Sequence, residues 1–385
     1  MTPPDPTRLP APRPVRVPPE LADYGFIVMC GMPFGGDVPW GDTQLARALA
    51  RYHPVLVVDR PIPTRRLRRL ADTVPHLAPV GPRLTLLRYP GAPGSTRRGS
   101  ARATDRAATI ATNRAARSVL GPRRILVNFA TGRGPLPGIG RDLSVYWRRD
   151  AFREPSQELL RRHARLIAES DLVTGVSAAL VDGLDPERSA VVANGADVNH
   201  FSTPAPRPDE LGHGRPVIGF TGAVSWRFDT ELLSELAKRR PDWTFVVVGD
   251  VRDGVAPQNP NVTVLGQRPY AELPGFTQHF DVGLIPYVDN PFNRASDPLK
   301  ALEYLASGTP VVSTLIPSLH ELAPMVRFAS EPAEMIEQIE GLLANPDPAG
   351  CRSLAAAHHW DNRVRQLHEL AIAALHRQGS SSHPT

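Results

Sequence analysis

Apolar positions along the chain fall into short runs of four to six residues, separated by longer stretches in which they recur every three or four. Residues 26–30 read as a buried strand, followed by a loop over 31–39 and a helix over 41–52. In that helix Leu45, Ala48 and Leu49 share a face while Arg47 and Arg51 fall off it. Further strand-sized runs lie at 55–59, 83–88, 125–129, 143–146, 172–176 and 190–193, with helical stretches at 104–120 and 158–169. Three prolines and two glycines in 204–215 break the pattern. A second alternation follows: strands at 217–220, 245–248, 262–265, 282–286 and 311–313, helices at 230–239 and 299–306, and a last helix at 360–375. Strands alternating with helices predict mostly parallel sheets with right-handed crossovers, the doubly wound α/β class.

The pattern predicts two Rossmann-like domains whose strand ends face a cleft. The expected divisions are a disordered proline-rich leader over 1–20, a first domain over 21–205, a linker over 206–216 and a second domain over 217–350. A terminal segment over 351–385 is expected to return to the first domain as a helix and then fray into a tail.

Composition narrows the class. Hydrophobic residues make up 41% and charged residues 22%, which suits a globular chain. No apolar run approaches the roughly 18–20 residues of a membrane span. The only cysteines, Cys30 and Cys351, offer neither a disulfide framework nor a zinc site, so a cytoplasmic location is expected. Residues 1–125 hold 20 Arg and 8 acids, whereas 126–385 hold 24 basic and 31 acidic residues. A basic first half suits contact with an anionic membrane surface or a phosphorylated acceptor, and equally a solvated arginine-rich surface. Few aromatics stand among the arginines, which argues against nucleic acid.

Neither first strand is followed by G-x-G-x-x-G, and no P-loop occurs, so dinucleotide and P-loop chemistry are set aside. The densest stretch is Asn293-Arg-Ala-Ser-Asp-Pro-Leu-Lys300-Ala-Leu-Glu303, leading to Gly308-Thr-Pro-Val-Val-Ser. Asp297 is expected to cap a helix with Pro298 at its first position. Lys300 and Glu303, three apart, then share a face near a helix start that attracts phosphate. Glu303 is suited to accept bonds from two ribose hydroxyls. A Lys–Glu surface pair on a capped helix fits the same spacing.

That stretch resembles the nucleotide-sugar motif of the retaining GT-B glycosyltransferases grouped as family four. Asn194-Gly-Ala-Asp197-Val-Asn-His-Phe201, Asp171–Ser177, Gly249-Asp250, Val262–Gly266, Phe280–Pro286 and His359-Trp360-Asp361 resemble further landmarks of that family in order. The Asp-Pro-x-Lys-x-x-Glu-Tyr-Leu-Ala variant, preceded by Gly222-Ala-x-Ser-x-x-Phe-Asp229, is similar to a subset of bacterial surface-polysaccharide enzymes. The likeness lies chiefly in residues 170–375.

The resemblance implies glycosyl transfer from a UDP-, GDP- or dTDP-sugar with retention, without metal and with no other cofactor. Acceptors open to it are a polysaccharide, a lipid-linked saccharide or a natural product. Arg227, Lys300 and Gly222 are implied at the donor phosphates, and Asn293, Arg294 and Asp297 at its sugar. Glu303 is implied at the ribose, and Gly266, Gln267 and Arg268 at the base. Gly35, Gly36, Asp37 and Asp150 are placed on the acceptor side.

Two departures stand out. Ala295 occupies the position of the family's first glutamate, eight residues before Glu303, and Arg227 stands in for a basic pair of different form. A non-catalytic sugar-nucleotide- or glycan-binding relative, which has lost chemistry through Ala295, is one alternative, and a GT-B sugar-nucleotide epimerase is another. No Asp-x-Asp occurs in the chain, and His163 and His200 are expected to be structural.

Overall fold

The computed structural model describes residues 15–35, 39–62, 73–91, 98–131, 138–214, 216–255 and 257–381. The chain divides into two compact units, Pro14–Val192 with Asp361–Thr385, and Ala193–Trp360.

The first unit begins β1 (Tyr24–Met29), α1 (Gly41–Ala50), β2 (Val55–Val58), β3 (His76–Gly81), β4 (Leu84–Arg88) and α2 (Arg98–Val119). It continues through β5 (Arg123–Asn128), β6 (Leu143–Arg148), α3 (Gln157–Glu169), β7 (Leu172–Gly175) and β8 (Ser189–Val191). The sheet order is β3-β4-β2-β1-β5-β6-β7-β8, parallel throughout except at the β3–β4 edge. Every residue of β1 is buried, as expected of a central parallel strand covered on both faces.

The second unit holds α4 (Val198–Ser202), β9 (Val217–Thr221), α5 (Thr230–Arg239), β10 (Thr244–Val248), β11 (Val262–Val264), α6 (Leu273–Thr277) and β12 (Val282–Ile285). After these come α7 (Pro291–Arg294), α8 (Leu299–Ser307), β13 (Val311–Ser313), β14 (Val326–Phe328), α9 (Pro332–Ala344) and α10 (Pro348–Ala357). Its sheet runs β11-β10-β9-β12-β13-β14, all parallel. Counted within the unit this is the order 3-2-1-4-5-6, with the reversal between β9 and β12. Ligands of such sheets bind beyond the strand ends at that reversal.

Two glycines allow close packing onto the sheet beside the reversal, Gly283 against α8 and Gly219 against Phe280, which precedes β12. A Cβ on Gly219 would stand 2.2 Å from the Phe280 ring, and one on Gly283 would stand 2.4 Å from the Tyr304 ring. The Tyr304 hydroxyl, on α8, accepts from the Thr221 amide at 2.6 Å and the Thr221 hydroxyl at 3.1 Å. Helix and strand end are thereby pinned together.

The last helix, α11 (Trp360–Ser381), packs its length from Asp361 onward into the first unit. Arg51 pairs with Asp361 at 2.8 Å, and Gln366 donates to the Val191 carbonyl at 2.9 Å. His53 Nε2 and His368 Nε2 meet at 2.9 Å in the interior.

Several boundaries differ from the sequence reading. Val15 is buried and Pro19–Leu21 form a 3-10 turn, so packed chain begins within the expected leader. The expected linker is also packed: Leu211 is buried in a 3-10 turn, and Arg207 donates to the Gly212 and His279 carbonyls. The chain divides ahead of it, between 192 and 193. The terminal helix runs on to Ser381, past the expected fraying point. Short β3 and β14, and helices α9 and α10, have no counterpart in the sequence reading. For α9 a signal existed, since Met335, Ile339 and Leu342 recur at helical spacing behind Pro332.

Candidate active site

The carboxyl ends of β9 and β12 present two cations on one aromatic ring. The turn after β9 carries Arg227, and the residue two beyond β12 is Tyr287. These segments are clamped to each other: the Val288 amide donates to the Arg227 carbonyl at 2.9 Å, and the Asp229 amide to the Pro286 carbonyl at 2.8 Å. The Thr314 hydroxyl accepts from the Tyr287 amide at 3.1 Å and donates to the Tyr287 carbonyl at 2.8 Å. On this fixed ring, the Arg227 guanidinium lies 4.6 Å from the centroid of Tyr287 and 4.9 Å from that of Phe292. Lys300, in the first turn of α8, donates from Nζ to the Tyr287 hydroxyl at 2.6 Å. Its ammonium also lies 5.1 Å and 5.4 Å from the Tyr287 and Phe220 centroids.

No ion pair joins Arg227 or Lys300 to a carboxylate among the described residues. Two half-buried cations with neutral partners leave a concentrated positive site at the end of the sheet. Gly222 is part of it. Its φ of +138° favours glycine, and a Cβ there would stand 3.3 Å from Cε of Lys300. Glu303 follows Lys300 by one turn of α8. Burial pushes its carboxyl up to about 7, and nearby Asp197 adds to the rise while Lys300 opposes it.

The residues expected at the donor sugar separate. Asn293 is 2% exposed, and its amide is fully engaged. Its Oδ1 accepts from Arg227 Nε at 2.7 Å, while Nδ2 donates to the Val288 and Arg227 carbonyls at 2.8 and 3.3 Å. It holds Arg227 in place. Arg294 is exposed and pairs bidentately with Asp289 at 2.5 Å. Asp297 does not cap α8, because Pro298 occupies the cap position in extended conformation. The Asp297 carboxylate instead accepts from the Asn194 amide at 2.6 Å, and its carbonyl from the Asn194 side chain at 2.7 Å. A partner 103 residues away in sequence thus took the expected capping group.

In the turn expected at the base, Gly266 has φ +72° with open space around it, and the Gln267 amide donates to Asp250 at 3.2 Å. Arg268 pairs with Glu210 at 3.1 Å. His200 is stacked on Tyr270 at 4.4 Å, and His163 bonds the Tyr146 hydroxyl at 2.9 Å, structural placements for both.

In the first unit, the loop after β1 is organised by two carboxylates that the sequence reading passed over. Asp42, fully buried, accepts from the Gly31 and Met32 amides at 2.9 and 3.1 Å. Asp59, at the end of β2, accepts from the Phe34 amide at 3.1 Å, and its burial raises its pKa. Gly35 is exposed with φ +77°, and Asp150 is exposed just past β6. Gly36 and Asp37 lie outside the described residues. Cys30 and Cys351 are free, buried thiols. Among the described residues no group of three or more His, Cys, Asp or Glu is arranged to hold a metal ion.

Residues 215–345 match the family described as glycosyl transferases group 1. That match lies within the second unit. Over 94% of its length the chain superposes on 99% of a sucrose-phosphate synthase from Thermosynechococcus elongatus, with a TM-score of 0.65 at 17% identity. The fold is GT-B.

A second GT-B neighbour, HepE of Anabaena in complex with UDP-glucose, aligns over 91% of this chain and 99% of its own at TM-score 0.62 and 17% identity. In sequence the chain is 31% identical over 251 residues to TuaH of Bacillus subtilis, named as a candidate glycosyltransferase of teichuronic acid biosynthesis. That match covers 60% of this chain and 62% of TuaH. The chain spans about three fifths of the length of the curated relatives it matches.

Proposed function

We propose that this protein is a glycosyltransferase that moves a sugar from a nucleoside diphosphate sugar, held by the second unit, to an acceptor held by the first. The observation that carries the reading is the pair of cations, Arg227 and Lys300, on one tyrosine at the β9–β12 reversal. Cleaving a sugar–phosphate bond leaves negative charge on the departing diphosphate, and preorganised cations stabilise it as it develops. The start of α8 adds its amides and dipole on the same side. Glu303 then binds the ribose hydroxyls.

In this reading the side chains supply the positive charge and no metal is required. Transfer proceeds with retention, by front-face attack in which the departing phosphate takes the acceptor proton. HepE was crystallised with UDP-glucose, so UDP-sugars are the first donors to test. The name of TuaH makes a surface polysaccharide the first acceptor class. We place the protein in the cytoplasm, with its basic first unit against anionic lipid headgroups.

The test is a panel of UDP-, GDP- and dTDP-sugars read by thermal shift and by nucleoside diphosphate release. A donor at about 100 times its dissociation constant stabilises by roughly 2.7 kcal/mol. Release with transfer of sugar to an acceptor supports the reading. Stabilisation without any release makes the protein a sugar-nucleotide binder, and an epimerised donor makes it an epimerase. If nothing in the panel stabilises it, the site is not a nucleotide-sugar site.

A further inference from the structure

We propose that Tyr287 is a positioning residue for the donor diphosphate, aiming Lys300 through its hydroxyl and Arg227 through its ring. The inference rests on the nucleotide-sugar reading above and adds a residue to which nothing in that reading assigns a role.

Two like charges near one another in a half-buried site repel and would turn toward solvent unless something held them. Here one neutral side chain touches both. The phenol oxygen accepts from Lys300 at 2.6 Å, which fixes one ammonium N–H and so the directions of the other two. The ring face lies 4.6 Å from the Arg227 guanidinium, whose other side meets Phe292 and whose Nε donates to Asn293. A carboxylate in place of the phenol would hold the cations more strongly, but would neutralise the charge that an incoming phosphate needs. A tyrosine orients both and cancels neither.

The ring itself has little freedom. Tyr287 is 5% exposed, its backbone is fixed on both sides by Thr314, and it forms an antiparallel bridge with Phe228. Rigidity of this kind lets a group act through others, because the cost of ordering the cations is met when the chain folds and not when the donor binds.

The hydroxyl's role is separable from the ring's by a double-mutant cycle on nucleotide affinity, measured by calorimetry on the full chain. The probe is whichever of UDP, GDP and dTDP binds the unmodified protein most tightly, with the matching nucleoside as a phosphate-free control. Tyr287→Phe should weaken the nucleoside diphosphate about tenfold, on the scale of one bond to a charged group, and leave the nucleoside unchanged. In a Lys300→Met background the same Tyr287→Phe change should leave nucleotide affinity unaltered, because the hydroxyl reaches the diphosphate through that ammonium.

Equal losses for nucleotide and nucleoside, or the same loss with and without Lys300, mean that the hydroxyl merely supports the fold, and overturn the proposal. Undiminished nucleotide affinity in Tyr287→Phe overturns it too. Should Tyr287→Phe alone fail to fold, Tyr287→Phe with Lys300→Met removes the ammonium left without its acceptor. Its comparison with Lys300→Met then decides the point. If the unmodified protein binds none of the three nucleotides, it is the nucleotide-sugar reading that fails.

Discussion

Of the 44 basic residues only Lys238 and Lys300 are lysines. The Lys300 Cε lies near Gly222 and its ammonium 5.4 and 5.1 Å from the Phe220 and Tyr287 centroids, a setting that suits a compact ammonium better than a planar fork. Lys300→Ala should lower turnover by about 10²–10³, the scale for losing one preorganised charge stabiliser, and Lys300→Arg should be nearly as damaging. Lys238, exposed and paired with Glu235, should tolerate arginine without loss. Steady-state kinetics on the three variants test this, and a fully active Lys300→Arg enzyme would sink it. Glu303→Gln should raise the donor Michaelis constant and, at the same time, stabilise the free protein. The carboxyl's folded pKa of about 7 lies above its ordinary 4.5, so its contribution to stability declines as pH rises from 4.5 through 7. The gain from Glu303→Gln should therefore be small near pH 5 and reach about 1–3 kcal/mol near pH 8, measured by thermal unfolding without ligand. Spacing placed Lys300 and Glu303 together, three apart on one helix, but fitted a surface pair equally well, and the family resemblance singled them out. Tyr287 and the true task of Asn293 were hidden, because the partner that gives Asn293 its task, Arg227, is 66 residues away in sequence.

Among the elements, α11 is held to the first unit by a buried histidine pair. His53 Nδ1 faces the Tyr24 carbonyl, its Nε2 meets His368, and Arg83 is the nearby cation. Burial lowers both rings, His368 to about 4; His53 further disfavours a charge on His368, and Arg83 one on His53. Folded pKa values below the ordinary 6.5 mean that the stabilisation is complete above 6.5 and lost as pH falls toward 4. Thermal stability should drop over that window by up to about 1.4 kcal/mol per pH unit for each proton taken up. Hydrogen exchange should show α11 loosening first, and His368→Phe should flatten the pH profile. An unchanged profile in that variant would assign the acid sensitivity elsewhere. The helix was legible from its periodicity; the histidine pair was not, since nothing in the sequence brings position 53 to position 368. The central strands of both sheets, unlike the edge strands β3 and β14, were legible for the opposite reason, because central parallel strands read as continuous apolar runs.

At the scale of the whole molecule, charge divides along the chain, +12 over residues 1–125 from 20 Arg and 8 acids, and −7 over the remainder from 24 basic and 31 acidic residues. Arg65, Arg66, Arg68 and Arg69 lie outside the described residues, but α2 shows the same bias on its surface. Arg106, Arg114 and Arg117 are exposed along it, with Ile110 61% exposed among them. No helix among the described residues is long and apolar enough to cross a membrane. The protein should bind vesicles rich in anionic lipid at low salt and release them steeply as salt is added. Reversing Arg106, Arg114 and Arg117 to Glu should weaken binding by about a hundredfold or more, at about 1 kcal/mol per lost cation near the surface. Indifference to the reversal would leave these arginines as ordinary solvated residues.

A chain with two lysines also carries its own chemical reporter. An amine-acylating reagent meets two side-chain targets here, one 63% exposed and paired only with Glu235, the other half-buried against Tyr287. Lys238 should react at the same rate whatever else is present, and so serves as an internal clock. Lys300 should react more slowly, and a nucleoside diphosphate laid across it should slow it further. The ratio of the two modified peptides by mass spectrometry would then titrate occupancy of the phosphate site directly. No acceptor need be known and no turnover need occur. Nucleotide that left the ratio unchanged would mean that Lys300 does not touch it.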